Sequence, residues 1–470
     1  MPIGPGSLET LSLWNQVSPR SYNTMVLCFE LDPEFDDFDD IDYHLRDCLE
    51  NLAESQPILA STLHADKETG LASLKTKRNG RIPFRVVEGK TGGFDQSYAE
   101  MKDAGFPQSL FTDKMFYRDS ALNEDGKPAL LVEVIIVDGG LFLHFEVHHS
   151  IFDGRMRDQV ITALAAMTMG DRGDVSLPES QKFPYPRNPF VPRATFDAFK
   201  GLIADCPEYG ILPRKNGPTQ PCIDVNKDYP ELPTVGKIFS ITPKRMEMLE
   251  QLIRQRAAKD QVISTYSCLA ALCFMCIVPA RVKAETTENS PDPGTEAIMH
   301  QSVNWRAHAM KDDKSLADYF GVSTLPIFSK VPFKELKAGH ARFGYLAKLA
   351  GIAKQDVAKL NDEYVEKRML MFNTCPDPRL IGVNYDHRSP MNFAFNTWRH
   401  IGGLKKWFIP GLARASPDAV RRSQPKFAYQ NALILPQVGD NQEILIQLPK
   451  VSMDELCKDK EFTMWFDIIE

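Results

Sequence analysis

Two periodicities organise the chain. Apolar side chains alternate with polar ones, or form short unbroken runs, over residues 25–31, 130–137, 141–148, 238–241, 432–435 and 443–448, which predicts strands. Over 41–52, 159–169, 243–258, 265–278 and 336–349 apolar positions are spaced as on one face of a helix. The apolar stretch 268–280 is too short to span a bilayer and reads as a buried helix. Strands interspersed with long helices place the chain in the α/β class, mixed α+β in detail. Residues 178–233 break the pattern with Pro184, Pro186, Pro189, Pro192, Pro207, Pro213, Pro218 and Pro221. A proline fixes φ and brings no backbone N–H, so this density interrupts helices and inner strands alike. The stretch reads as a crossover, giving an N-terminal domain 1–180, a linker 181–235 and a C-terminal domain 236–470. Residues 286–294, polar and turn-rich, read as a surface loop.

Length agrees with two domains, since 470 residues exceed what one hydrophobic core serves. Lys and Arg number 55 against 62 Asp and Glu, a net charge of −7, and the basic clusters Lys405-Lys406 and Arg421-Arg422 are short. A nucleic-acid partner would call for a basic stripe, and none is present. Residues 1–15 lack the basic and apolar regions of a secretory signal. The nine cysteines are odd in number and dispersed, with Cys28, Cys268 and Cys273 in apolar contexts. That usage points to a reducing, cytoplasmic address, and with the 268–280 stretch too short to span a bilayer no membrane partner is expected.

The most informative segment follows Asp138-Gly139-Gly140, a hairpin signal between two apolar runs. Alternation in the second run puts Leu141, Leu143, Phe145, Val147 and His149 on one face and Phe142, His144, Glu146 and His148 on the other. The run stops at Ser150 to Gly154, and helical spacing of Val160, Ile161, Leu164 and Met167 follows, ending near Gly170. His149 thus stands at a strand end, on an apolar face, just before a turn. An imidazole there can take and return a proton near neutral pH, and apolar neighbours disfavour its charged form. A hydroxyl or amine within hydrogen-bond reach would be activated for attack on an acyl carbonyl.

Plainer readings exist for each residue. A lone histidine is more often a satisfied core side chain than a base. Asp153 reads as the N-cap of the following helix, and Gly154 as a residue that eases the turn. His144, Glu146 and His148 share a strand face, yet no further ligand pair accompanies them, so no metal is expected. Cys273-x-x-Cys276 lies in an apolar helix and reads as core thiols.

Taken together, His148-His149-Ser150-Ile151-Phe152-Asp153-Gly154 resembles the HHxxxDG signature of the chloramphenicol acetyltransferase-like superfamily, which includes the BAHD acyltransferases. The resemblance extends to Leu11-Ser12-Leu13-Trp14, Pro19-Arg20-Ser21-Tyr22, Gln56-Pro57-Ile58-Leu59-Ala60, Ile263-Ser264-Thr265, Val303-Asn304-Trp305-Arg306, Tyr319-Phe320-Gly321 and Asn396-Thr397-Trp398-Arg399. The fungal secondary-metabolite branch, with its trichothecene and ergot-alkaloid O-acetyltransferases, is the most similar. The resemblance implies two acyltransferase-like domains with a channel between them. It implies His149 as general base, with Asp153 holding local architecture beside it, and His148, Gly154 and Arg306 as structural neighbours. Asn396 and Thr397 are the candidates for substrate contacts or oxyanion donors. The partners implied are an acyl-CoA co-substrate and a small-molecule acceptor, with no permanently bound cofactor, on a monomer.

The chain departs from the family at the Asp-Phe-Gly-x-Gly signature. The best match is Trp407-Phe408-Ile409 before Pro410-Gly411, and Val322 replaces the asparagine that follows Tyr-Phe-Gly. The family aspartate forms an ion pair for which Arg306 is the expected counterpart, so Arg306 must find another carboxylate or reach solvent. The primary expectation is acyl transfer to a hydroxyl or amine of a natural product. The alternative is coenzyme-independent acid/base chemistry, such as cyclisation, isomerisation or epimerisation. A third reading is a non-enzymatic binding protein.

Overall fold

In the computed structural model of the chain, Leu130–Val137 and Gly140–His148 form an antiparallel hairpin with Val137 opposite Gly140. The turn is Asp138-Gly139, and Gly139 has φ of +79°, a conformation that favours glycine. A Cβ on Gly140 would run into the Tyr98 ring, so that position also needs glycine. The structure describes residues 8–77, 79–88, 93–112, 126–170, 196–213, 220–223, 229–259, 261–286, 292, 294–312, 319–337, 342–402, 405–423 and 431–469.

The hairpin lies inside a five-stranded sheet of order Ala419–Arg421, Tyr22–Glu30, Gly140–His148, Leu130–Val137, Phe84–Glu88. Every residue of Leu130–Val137 is buried, which is why that strand reads as a nearly unbroken apolar run. On one face lie the helices Phe38–Ser55 and Gly154–Thr168. The other face carries an aromatic cluster of Tyr98, Phe106, Phe111 and Phe142.

The second large sheet has seven strands in the order Thr324–Pro332, Glu296–Asn304, Asn392–Thr397, Asn431–Ile434, Gln442–Pro449, Thr234–Ile241, Asp467–Ile469. Its core helix, Thr265–Glu285, starts at a Ser264–Ser267 capping box and is covered by Pro243–Arg254, Arg342–Ala358 and Lys450–Lys458. Neighbours on every side explain why this helix has no polar face. It also runs longer than the sequence suggests, past Pro279, and its 21 residues are long and apolar enough to cross a membrane. In this fold it is interior, with 83% of its most apolar window buried.

Several elements differ from the sequence reading. The helix expected over 336–349 is two, Phe333–Leu336 and Arg342–Ala358. The strand Thr324–Pro332 contains Pro326 and Pro332, which masks it in the pattern; it lies at the sheet edge, where a missing N–H costs least. Asp362–Thr374 is a helix whose apolar positions Val365, Met369 and Phe372 are diluted by charged residues, among them Arg368, which pairs with Glu208 at 2.5 Å. The proline-rich crossover is not bare. It holds the helix Phe196–Ala204 and two short strands, Tyr209–Ile211 and Gln220–Pro221, that flank Ile381–Val383 in a small sheet. Pro184, Pro186, Pro189, Pro192 and Pro218 lie outside the described residues, as does most of 286–294.

The two large sheets are tied by a late segment. Ala419–Arg421 comes from the C-terminal side yet pairs antiparallel with Tyr22–Glu30 as an edge strand of the N-terminal sheet. Arg421, one of the short basic cluster Arg421-Arg422, is 1% exposed. Its guanidinium donates to Glu443 of the seven-stranded sheet at 2.7 Å, to Phe106 O at 2.7 Å and to Gly105 O at 2.6 Å. Truncation strands the Phe106 and Gly105 carbonyls and removes the buried partner of Glu443, so Arg421→Ala is expected to cost about 3 kcal/mol. Urea unfolding of the variant against the parent chain measures it; a loss under about 1 kcal/mol, the scale of an exposed ion pair, means that Arg421 is no clasp.

Candidate active site

His149 follows directly on the Gly140–His148 strand, and its backbone N–H donates to Ser21 O at 2.8 Å, carrying the pairing with the neighbouring strand one step further. Its side chain lines a cleft of about 620 Å³ between the two halves. Asp153, Gly154 and Arg157 line it from the N-terminal side, and Asn304, Asn396, Thr397 and Trp398 from the C-terminal side. The structure therefore brings Asn396 and Thr397 to the same cleft as His149. His148 and Arg306 are not among its lining residues.

Burial holds the His149 imidazole below the ordinary histidine range. Its own carbonyl and the Asp153 charge favour the protonated form and Arg157 opposes it, but desolvation outweighs them. Nδ1 has no partner in hydrogen-bonding geometry among the described residues, so the nearby carbonyls act on it only as misaligned dipoles. The ring is neutral at pH 7, the state a general base requires. His148 is pushed further, to about 3, chiefly by burial. It packs edge-on against Tyr22, and its Nδ1 accepts the Ser150 N–H at 3.3 Å, so its role is to shape the turn.

Asp153 caps the Gly154–Thr168 helix, accepting the Met156 N–H on Oδ1 at 3.0 Å. Its other oxygen, Oδ2, accepts from Arg306 Nη1 at 2.8 Å, Ser323 N at 3.1 Å and Ser323 Oγ at 3.0 Å. Oδ2 is thus filled away from His149 and Oδ1 is engaged at the helix cap, the geometry of a side chain that holds the turn in place. Arg306 has found another carboxylate, as its situation demanded, and that carboxylate is Asp153. Arg306 Nη2 donates to Tyr319 O at 2.9 Å and also to Gly321 O, and the guanidinium lies over the Tyr319 ring. The pairing expected with the second signature is therefore replaced by one across 153 residues of chain.

A third segment holds this junction. Asn15 donates to Ser150 O at 2.7 Å and accepts from Tyr319 OH at 2.5 Å, while Ser12 Oγ lies 2.6 Å from the same hydroxyl. Val322 joins through its backbone N–H, 3.4 Å from Asn15 Oδ1, so the loss of an asparagine side chain there removes none of these bonds. Nothing local in the sequence marks Asn15 or Ser323; their roles exist only across the fold. Arg157 was detectable. It is a cation on the apolar face of Gly154–Thr168, between Met156 and Val160, and it is 1% exposed.

The Trp407 segment has a different task from the family's aspartate signature. Trp407 is buried against Phe29 and Phe145 of the N-terminal sheet, each with ring centroids 6.2 Å away. Gly411 has φ of +78°, and a Cβ there would strike the Phe35 ring. Asn396 and Thr397 are oriented by backbone donors: Asn396 Oδ1 accepts the Thr397 N–H at 2.7 Å, and Thr397 Oγ1 the Arg399 N–H at 3.2 Å. Among the described residues no hydrogen bond engages the Asn396 amide nitrogen or the Thr397 hydroxyl proton.

Residues 21–167 match the family described as trichothecene 3-O-acetyltransferase-like N-terminal domain. The chain is 29% identical over 163 residues to acyltransferase easC of Emericella nidulans, the match covering 34% of each chain. It is 21% identical to trichothecene 8-O-acetyltransferase of Fusarium sporotrichioides, over 78% of this chain and 79% of that one. The crystal structure of F. graminearum TRI101 complexed with coenzyme A and T-2 mycotoxin superposes with a TM-score of 0.75 at 16% identity, covering 99% of this chain and 100% of that one. The resemblance read from the sequence and the mixed α/β fold both stand on these comparisons.

The ion pair at the junction is testable by a double-mutant cycle. Arg306→Met alone strands the Asp153 charge and is expected to lower stability by about 3–5 kcal/mol, whereas Arg306→Met with Asp153→Asn recovers at least half of that loss. Denaturant unfolding of the three variants measures the coupling. Additive losses would show that the two side chains do not depend on each other.

Proposed function

We propose that this chain, with its trichothecene 3-O-acetyltransferase-like N-terminal domain and BAHD-type fold, is an acyl-CoA-dependent O- or N-acyltransferase acting on a small natural product. The observation that carries the reading is His149, a neutral imidazole at a strand end that lines the cleft where both halves meet. His149 takes the proton from the acceptor hydroxyl or amine as that atom attacks the thioester carbonyl. The carbonyl becomes a tetrahedral oxyanion. When the C–S bond breaks, the imidazolium returns the proton to the departing coenzyme thiolate, and the acyl group stays on the acceptor. The Asn396 amide and the Thr397 hydroxyl are assigned as donors to the oxyanion or to the substrate; one preorganised donor lowers such a barrier by roughly 3–4 kcal/mol.

Charge at the cleft suits an anionic co-substrate. Arg155 and Lys354 are exposed, Arg399 is half-buried, and all three line the cleft, where solvated cations meet the phosphates of coenzyme A at little desolvation cost. The coenzyme-independent alternative drew its strength from the missing aspartate. Since Arg306 pairs with Asp153, that substitution leaves no stranded charge and gives no ground for different chemistry. As part of the same proposal, the protein works as a cytosolic monomer and holds no permanent cofactor.

The test combines binding, turnover and pH. Calorimetric titration with acetyl-CoA is expected to show saturable binding, and a hundredfold excess over Kd to stabilise the fold by about 2.7 kcal/mol. His149→Ala is expected to bind coenzyme A normally and to lose roughly 10²–10⁴ in kcat, the usual contribution of a general base. Because burial depresses the His149 pKa from its ordinary value of 6.5, kcat/KM in the parent chain rises with pH along a limb centred below 6.5 and is level at neutrality. Absence of binding at millimolar coenzyme, or full turnover in His149→Ala, would reject the proposal.

A further inference from the structure

The cleft holds a charge that acyl transfer as derived above does not use. Arg157 lies on the Gly154–Thr168 helix and lines the cleft, yet the residue is 1% exposed. Among the described residues none of its guanidinium nitrogens, Nε, Nη1 or Nη2, has a hydrogen-bond partner. The neighbouring carboxylates are engaged elsewhere: Asp153 with Arg306 and Ser323, and Asp158 with the Gly402 N–H at 3.0 Å. What holds Arg157 in place is Trp398, whose ring centroid is 3.8 Å from the guanidinium carbon. Arg422 approaches the same indole at 5.5 Å. A cation–π contact recovers part of the cost of burying a cation, but it satisfies none of the five N–H donors, which lie in the guanidinium plane.

Arg157 stays charged despite this. Burial, and then Arg422, lower its pKa to about 9, still above neutrality. A buried, protonated guanidinium with no partner among the described residues, at the edge of a substrate cleft, is well placed to be completed by an anion that arrives with a ligand. Two anions would be present: the phosphates of coenzyme A and an acidic group on the acceptor. The position favours the acceptor. Phosphates are large and strongly hydrated and suit the solvated rim at Arg155 and Lys354. A sunken guanidinium whose carbon lies 3.8 Å over an indole ring, and whose nitrogens have no partner among the described residues, suits one planar carboxylate taken in a two-point contact.

We infer that Arg157, stacked on Trp398, is the receptor for a carboxylate on the acyl acceptor, so that the substrate class is a hydroxy- or amino-carboxylic acid acylated at its hydroxyl or amine. This rests on the acyl-transfer reading and adds the acceptor's chemical class to it. Docking the carboxylate on Arg157 fixes the far end of the acceptor relative to His149, which also makes Arg157 a specificity-determining residue: the neutral ester of the same acceptor leaves the guanidinium dry and binds worse.

The experiment needs no turnover and so stands apart from the test of acyl transfer. Hydroxy acids of graded size (3-hydroxybenzoate, 4-hydroxyphenylacetate and 12-hydroxydodecanoate) and their methyl esters are titrated calorimetrically into the protein without coenzyme. The parent chain is expected to prefer the acids by roughly 10- to 100-fold, the scale of a charge-assisted hydrogen bond. Arg157→Met is expected to abolish the preference and Arg157→Lys to retain part of it. Without ligand, Arg157→Met is expected to unfold at a higher temperature than the parent, because a buried unpaired charge is gone. Equal binding of acids and esters by the parent overturns the inference. So does a loss of coenzyme A affinity in Arg157→Met with the acid preference intact, which would assign the guanidinium to a phosphate. An acid preference that survives while acetyl-CoA fails to bind would sink acyl transfer and leave the carboxylate receptor standing.

Discussion

The buried pair between Asp153 and Arg306 is the interaction on which the site depends. It joins the start of the helix after His149 to a loop of the C-terminal half, and it is dry, with the Asp153 and Arg306 side chains 3% and 1% exposed. Burying both charges is costly, and the Coulomb attraction offsets that cost only when the remaining hydrogen-bonding capacity is filled. Here nearly all of it is. Asp153 takes the Met156 and Ser323 donors, and Arg306 reaches the carbonyls of Tyr319 and Gly321, while Arg306 Nε has no partner among the described residues. The charges can therefore be held only in this one arrangement of the two halves. His149, four residues before the carboxylate, inherits its position relative to Asn396 and Thr397 from that constraint.

Around this clamp the polar groups divide by burial. His148 and His149 are desolvated and neutral, the first to shape the turn and the second to accept a proton. Cations at the cleft divide likewise: Arg155 and Lys354 keep their water, whereas Arg157 has traded it for the face of Trp398. The same residue type can serve phosphate attraction at the rim and a directed contact inside because desolvation sets how much an unpaired donor costs. The aromatic residue at Trp407 belongs to neither group. It packs between the N-terminal sheet and the segment that returns from the C-terminal half, so its identity matters for joining the halves rather than for charge.

Much of the fold is local in origin and could be read along the chain. The Leu130–Val137 and Gly140–His148 hairpin, the helix capped by Asp153 and the apolar Thr265–Glu285 helix follow from alternation, turn glycines and helical spacing within a dozen or two residues. Reading failed where a long-range context overrode the local pattern. Thr324–Pro332 tolerates prolines because it is an edge strand, and edges are a property of the sheet, not of the segment. The crossover hides a helix and two short strands because its strands are satisfied by Ile381–Val383, more than 150 residues away in sequence.

The same division holds for the site. The sequence alone determined that a histidine stands at a strand end before a capped helix, with an apolar face to keep it neutral and an aspartate at the cap, because spacing and side-chain chemistry between Asp138 and Gly170 specify all of that. Which carboxylate Arg306 would meet, that Asn15 and Ser323 would close the junction, that Arg421 would clasp two sheets, and that Arg157 would sit over Trp398 with no hydrogen-bond partner among the described residues were decided only by tertiary structure. Electrostatic and hydrogen-bonding partners are chosen by distance and desolvation in three dimensions, and neither quantity is written in the order of residues along the chain.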